Sequence, residues 1–299
     1  MSSLIHTLDS LQENKPGITA VYLIRHAGGA LLIDCSAGST LPAVLGEMRA
    51  LGLEARDVTD VLLTHIHLDH AGAAGWWAQQ GARIHVHPVG APHLRDPEKL
   101  IASATRIYGQ DMERLWGDFL AVPDAQLIEH HDNDVIQVGE HQFLALDTPG
   151  HAEHHYAFLF QDVCFSGDVG GVRIHGFGHV RPPTPPPEVN FEKWRASIER
   201  MRGTHSKWIA PTHFGLYENA GAHLDTLERS LDAIETWTAQ EMAHAPTPEL
   251  FRAHYAQLLD ALARADGEDA NAAARYADAA SPSITADGVY RWWKKYRAA

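Results

Sequence analysis

The sequence predicts an α/β sandwich, sheets inside and helices outside, with an added C-terminal helical region. Three observations carry that prediction. Short apolar β-type runs dominate the first two thirds of the chain, helical patterns with apolar residues every three or four positions separate some of them, and past about Gly221 only helical periodicity remains. With 299 residues the chain has ample length for a sizeable core, and the change of pattern divides it into a domain over 1–220 and a helical extension over 221–299.

Taken in order, the β-type runs are 20–24, 30–35, 61–64, 83–86, 142–146, 156–160, 163–166 and 207–210, each short, apolar and bounded by polar or turn-forming residues. Helical spacing appears at 41–51 and at 190–202, where Phe191, Trp194, Ile198 and Met201 share one face. Asn190 is a suitable N-cap for that helix and Gly203 a suitable end. The segment 97–118 is helix-like, with Ile101, Tyr108, Met112, Leu115 and Trp116 at apolar positions, and serves either as core packing or as cover for a cleft. Residues 181–188 hold five prolines and must form a stiff loop. Beyond Gly221, Leu224, Leu227, Leu231 and Ile234 form one apolar stripe. Leu250, Tyr255, Leu258, Leu259 and Leu262 form a second, opened by Thr247 and Pro248 as cap and first turn. A last helix sets Val289, Trp292, Trp293 and Tyr296 beside Arg291, Lys294, Lys295 and Arg297, an aromatic face for docking with a solvated basic face outside; binding of an acidic substrate group is the other reading.

Composition excludes several classes. Apolar residues make up 45% and charged residues 21%, which is globular and not disordered. The net charge of −14, without a basic patch, repels phosphate backbones, so the expected partner is a small-molecule substrate and not nucleic acid. Cys35 and Cys164 lie in apolar runs and make no disulfide framework, which fits a reducing, cytoplasmic setting. The first 15 residues lack a basic segment followed by an apolar core, and no apolar run approaches the roughly 18 residues of a membrane span, so neither export nor membrane insertion is expected. A homodimer is compatible with all of this. One count stands out: 21 histidines against 24 Lys and Arg, imidazole being the commonest metal-ligating side chain.

Four candidate ligands fall within six residues in Thr64-His65-Ile66-His67-Leu68-Asp69-His70-Ala71-Gly72, directly after a β-run and before a helical one. In a loop leaving a strand end, His65 and His67 can converge on one cation while Asp69 and His70 face a second. Imidazole and carboxylate donors suit Zn²⁺, and also Mn²⁺ or Fe²⁺. Without a cation, four costly polar groups would crowd one strand end.

With this motif the chain resembles the metallo-β-lactamase-fold hydrolases, whose hallmark is His-x-His-x-Asp-His. Their remaining hallmarks are matched by Thr148-Pro149-Gly150-His151, Phe165-Ser166-Gly167-Asp168 and Ala210-Pro211-Thr212-His213, and their early acidic residue by Asp34 after Leu31-Leu32-Ile33. The resemblance covers roughly residues 18 to 220. It implies an αββα metallo-β-lactamase sandwich and two divalent metals, zinc first with manganese or iron as alternatives. It assigns His65, His67 and His151 to one metal, Asp69, His70 and His213 to the other, and Asp168 as the bridge. Asp34 would hold a loop or a ligand imidazole in place. Two such cations hold a bridging hydroxide as nucleophile, so no Ser or Cys is needed, and Asp69 can orient its proton. The implied activity is hydrolysis of an ester, lactone or thioester.

Departures from relatives narrow the branch. Asp168 stands where some zinc β-lactamases place Cys. Lactonases that act on acyl-homoserine lactones resemble one another in a Tyr shortly after the bridging Asp, where this chain reads Val169-Gly170-Gly171-Val172. Thioesterases of the glyoxalase-II type share helical C-terminal additions but carry basic and aromatic residues after that Asp which are not evident here. The binuclear glyoxalase-II and lactonase-like branch remains the expected one. A mononuclear iron enzyme resembling persulfide dioxygenases is the alternative, and it leaves Asp69, His70 and His213 without a role. The remaining histidines have plainer roles. His85, His87, His154 and His155 read as packing or as supports for ligands, and His130 and His131 as solvated residues of a polar turn. The Gly-rich run from Arg173 to His179 is well placed to contact substrate through His175 or His179.

Overall fold

Residues 4–298 are described by the structure, a computed structural model; Met1–Ser3 of the N-terminal segment read above lie outside them. The chain divides into two units. The first runs to Asp147 and takes back His154–Gln161; the second comprises Thr148–Glu153 and the chain from Asp162 onward.

In the first unit, strands β1 (Ile5–Asp9), β2 (Ala20–His26), β3 (Gly29–Ile33), β4 (Val58–Leu62), β5 (Arg83–Val86) and β6 (Leu127–Glu129) form one mixed sheet in sequence order. β1, β2 and β3 are antiparallel, whereas β3, β4, β5 and β6 run parallel, with Ile33 opposite Leu62 and Leu62 opposite His85. Both faces of the parallel strands are covered, and Leu31, Leu32, Val61, Leu62 and Ile84 are all fully buried; β4 and β5 also bury the polar Asp60 and His85, which pair with each other. Their carboxyl ends open on one edge of the sheet, the place where open α/β sheets put functional loops. Helix α1 (Leu41–Ala50) buries Val44 and Met48, α2 (Leu68–Ala71) and α3 (Ala74–Gln79) follow β4, and Trp77 of α3 is fully buried in the same core as Met48 and Val61.

The insertion after β5 holds α4 (Ala91–Arg95), α5 (Glu98–Tyr108) and α6 (Met112–Trp116). The expected apolar positions Ile101, Tyr108, Met112, Leu115 and Trp116 are half-buried, Ala91, Leu94 and Ala104 are buried, and Tyr108 meets Trp116 edge to face at 5.0 Å. Strands β7 (Val135–Val138), β8 (His141–Asp147) and β9 (Tyr156–Phe160) make an antiparallel meander.

In the second unit, β10 (Val163–Phe165) pairs parallel with β11 (Trp208–Ala210), which pairs antiparallel with β12 (Tyr217–Glu218). Helix α7 (Phe191–Arg202) buries the expected Phe191, Trp194, Ile198 and Met201, and the Asn190 side chain accepts the Lys193 amide at 3.0 Å. Gly203 ends the helix as expected, at φ −62°; the left-handed residue follows at His205, φ +54°, and the Thr204 hydroxyl donates to the Met201 carbonyl at 2.7 Å. The helical extension consists of α8 (Ala220–Met242), α9 (Pro248–Ala265), α10 (Ala270–Ala279) and α11 (Pro282–Tyr296).

Leu224, Leu227, Leu231 and Ile234 are buried on α8 as expected. The buried stripe of α9 is Phe251, Tyr255, Leu259 and Ala263, an i, i+4 row, so of the expected set only Tyr255 and Leu259 are core while Leu250 is 46% exposed. On α11, Trp292 is buried and stacks on Phe191 at 4.3 Å, which is the docking reading of that aromatic face. The proline loop 181–188 is irregular and packs against the same helix, where a Cβ on Gly288 would come within 1.9 Å of the Thr184 carbonyl oxygen. Among the described residues, no helix is long and apolar enough to cross a membrane.

Candidate metal centre

In the first unit the His-x-His-x-Asp-His run leaves the carboxyl end of β4, and its last three residues wind into α2 with His67 at the N-cap position. His65 and His70 are buried, His67 and Asp69 half-buried. The His65 Nε2 lies 3.0 Å from the His67 Nδ1. Two nitrogens bound at 2.0–2.1 Å to one tetrahedral zinc stand about 3.3 Å apart, so the two rings already hold a ligand-like spacing. His70 Nε2 lies 3.6 Å from Asp69 Oδ2, a second pair of donors.

Asp34, at the end of β3, organises this loop. It is buried with φ +57°, a left-handed conformation that Asp tolerates better than most residues. Its Oδ1 accepts the Thr64 amide at 2.8 Å and the Thr64 hydroxyl at 3.0 Å, and its Oδ2 lies 2.8 Å from His70 Nδ1. A His70 Nδ1–H donated to this carboxylate turns the Nε2 lone pair toward Asp69, as a candidate metal donor. Thr64 is the supporting residue that sequence reasoning misses, since its role is visible only once β3 and β4 lie side by side.

In the second unit, β10 leads into the short turn Gly167–Gly170 that carries Asp168, and β11 leads through Pro211 and Thr212 to His213. All three candidate ligands are buried: His151 1%, Asp168 4% and His213 2% exposed. Asp168 reaches both imidazoles, Oδ2 at 3.3 Å from His151 Nε2 and Oδ1 at 3.5 Å from His213 Nε2. His151 Nδ1 lies 2.8 Å from the Pro183 carbonyl oxygen, which fixes the ring with Nε2 toward Asp168. Trp194 packs edge-on against that ring at 5.8 Å and donates its indole N–H to the Val169 carbonyl at 2.9 Å, so α7 buttresses both ligand-bearing turns. The donor chemistry and spacing in each unit therefore fit divalent metals of the zinc type.

The remaining histidines sort by their contacts. His154 stacks beside His65 at 6.1 Å between ring centres and His155 lies tilted against it at 5.1 Å, and His154 Nδ1 accepts the Ile66 amide at 3.4 Å, as supports of the candidate ligand loop. His85 is held by Asp60 at 2.7 Å and by His130 at 2.8 Å. His130 corrects the expectation of a solvated residue: it is half-buried and stacked on His85 at 5.0 Å, and burial, with the neighbouring His85, pulls its pKa down to about 4. Burial also works against the charge on Asp60, but hydrogen bonds from His85, Arg83 and Thr59 outweigh it and hold the carboxyl at about 2. His131 is exposed. His175 is exposed in the loop after Asp168, whereas His179 is buried with Nδ1 2.7 Å from Asp266. Both cysteines are free and buried, and burial pushes the Cys164 thiol up to about 12.

Comparison with known proteins bears on the whole arrangement. Residues 14–213 match the profile of the metallo-β-lactamase superfamily. A metallo-β-lactamase fold-containing protein of Sulfurisphaera tokodaii is 30% identical over 161 residues, covering 52% of this chain and 60% of the relative. A hydroxyacylglutathione hydrolase of Xanthomonas campestris is 27% identical over 231 residues, covering 76% and 73%. Several other curated relatives are matched over only about half of their length. The solved structure of an archaeal metallo-β-lactamase superfamily protein from Sulfolobus tokodaii superposes with a TM-score of 0.64 at 25% identity, covering 75% of this chain and 85% of that one. A Thermus thermophilus metallo-β-lactamase family protein, at 20% identity, shares the fold over 93% of this chain and 88% of its own, with a TM-score of 0.66. With mixed sheets, extra C-terminal helices and a family match across both ligand-bearing units, the chain belongs to the metallo-β-lactamase superfamily, a superfamily of metal-dependent hydrolases.

Proposed function

We propose that the chain is a binuclear metal-dependent hydrolase of an ester, lactone or thioester, in the glyoxalase-II and lactonase-like branch. His65, His67 and His151 would hold one metal, Asp69, His70 and His213 the other, with Asp168 shared and 1–220 forming the catalytic domain. The observation that carries this reading is the Asp168 carboxylate set against two buried imidazoles at 3.3 and 3.5 Å, the arrangement a bridging ligand requires. Bound there, two divalent metals supply an ionised water near neutral pH and Lewis-acid polarisation of a carbonyl.

The chain's own residues do the rest. Asp34 and the Pro183 carbonyl fix the tautomers of His70 and His151. Asp69, half-buried and not fully enclosed, is the carboxylate placed to accept or orient a proton from the attacking water. No Ser or Cys nucleophile is required, and the raised thiol pKa of Cys164 agrees with an inert cysteine. Named relatives include hydroxyacylglutathione hydrolases and a fungal acyl-carrier-protein thioesterase, which favours thioesters within the ester class.

The test is elemental analysis of the purified protein, followed by a panel of thioesters, lactones and esters. About two zinc, manganese or iron ions per chain, together with turnover lost in His67→Ala and in Asp168→Ala, support the proposal. A single iron per chain with no uptake of a second metal would replace it with iron dioxygenase chemistry.

A further inference from the structure

Within the second unit, Arg181 is 1% exposed, one of the largest fully buried side chains of the molecule. Its backbone is fixed by a bridge to Val172. Its guanidinium is not: Nε and Nη2 are both buried without a hydrogen-bond partner, and among the described residues it makes no ion pair. The Tyr276 ring lies 5.0 Å from the guanidinium carbon, and the acid whose field reaches it, Asp260, stays beyond ion-pair distance. One aromatic face does not offset the cost of burying a full charge with two open donors.

Nε and Nη2 form one edge of the guanidinium, and elsewhere in this molecule that same edge clasps a carboxylate. Arg252 donates from Nε and Nη2 to the two oxygens of Asp287 at 2.6 and 3.1 Å. At Arg181 the edge is present and the carboxylate is missing. A second open group adjoins it: His179, which feels the Arg181 charge, is buried with its Nε2 also lacking a hydrogen-bond partner while Nδ1 is engaged by Asp266.

We propose that Arg181 is the buried seat of a carboxylate supplied by a ligand, with His179 beside it. Planar bidentate pairing is what a guanidinium edge offers a carboxylate, and a lysine in its place would lose it. The inference is independent of which ester the enzyme cleaves, because it concerns binding alone.

The test is thermal unfolding of the intact, metal-loaded protein titrated with sodium succinate against sodium chloride at matched ionic strength. The expected result is a saturable rise in Tm with succinate, with an apparent affinity weakened at least tenfold in Arg181→Lys and abolished in Arg181→Gln. A rise that survives unchanged in Arg181→Gln would assign the effect to another site, the metals included, and overturn the proposal. No succinate-specific rise in the unsubstituted protein would overturn it as well, whether or not the variants fold. Inorganic phosphate is the comparison arm: stabilisation by phosphate equal to or greater than that by succinate would refute a carboxylate seat.

Discussion

The Asp34 carboxylate joins two parts of the ligand loop, its Oδ2 2.8 Å from His70 Nδ1 and its Oδ1 2.8 Å from the Thr64 amide. Both oxygens are needed, because Thr64 donates from backbone and hydroxyl while His70 donates from the other side. Asp34→Asn leaves only one acceptor oxygen and turns an N–H toward one of these donors. The variant is expected to fold but to lose about 10- to 100-fold in metal affinity, read by competition with a chromogenic chelator. Unaltered affinity would mean that Asp34 shapes the loop without tuning His70.

The candidate ligand loop is legible in the sequence because four donor side chains crowded into six residues are costly to keep without a cation, and strands such as β3 and β10 are legible because their apolar runs are unbroken. Elsewhere the local pattern falls short for physical reasons. β7 alternates exposed with buried residues over only four positions, and β1 buries only Ile5 and Leu8 of five, too short a stretch in either case to stand out from loops. α10 reads as a polar, alanine-rich tail, and its burial depends on Ala272 and Tyr276 meeting Val172 and Ile174, a contact far apart in sequence. The packed face of α9 is offset by one residue from the apolar pattern, since Leu250 looks apolar while Phe251 is the residue that packs. His130 reads as solvated because its partner, His85, is 45 residues away and reaches it only through the pairing of β5 with β6.

Gly150 precedes His151 at φ +142°, and a Cβ there would lie 2.5–2.6 Å from backbone and Cβ atoms of Trp194. No far end of a flexible side chain can yield at that contact; α7 itself would have to move. Gly150→Ala is therefore expected to cost about 2 kcal/mol or more in urea unfolding and to displace His151 from Asp168. A variant with an unchanged midpoint and full metal content would show that the turn and α7 are not tightly coupled.

His67→Ala and Asp69→Asn separate binding from proton handling. His67 lies 3.0 Å from His65 and, if both bind one ion, its removal should lower metal content as well as turnover. Asp69 is half-buried and pairs with His70 at 3.6 Å. Asp69→Asn keeps an oxygen donor but no base, so kcat should fall by about 10²-fold or more with metal content reduced less than in His67→Ala. Metal content and steady-state kinetics measured on the same preparations decide between the two roles. Equal loss of metal in both variants would make Asp69 a ligand only.

Acid should destabilise the fold in a window set by His223. Its Nε2–H donates to the Gly170 carbonyl at 2.7 Å, in the turn that carries Asp168, and complete burial drives its pKa down to about 4 from an unfolded value near 6.5. Between those values the unfolded chain binds the proton and the folded chain does not, so stability rises with pH across the window. The contribution is fully present above pH 6.5 and is lost as pH falls toward 4, by about 3 kcal/mol. His130, also lowered to about 4, adds in the same direction, and Asp60, held at about 2, extends the loss below the ordinary carboxylate range. His223→Gln keeps an N–H donor for Gly170 but cannot take up the proton. Urea unfolding at pH 7, 6, 5 and 4 should then show a shallower decline for the variant than for the unsubstituted protein. Parallel declines would place the acid sensitivity elsewhere, and the proposed metal-ligand histidines would be the next groups to test.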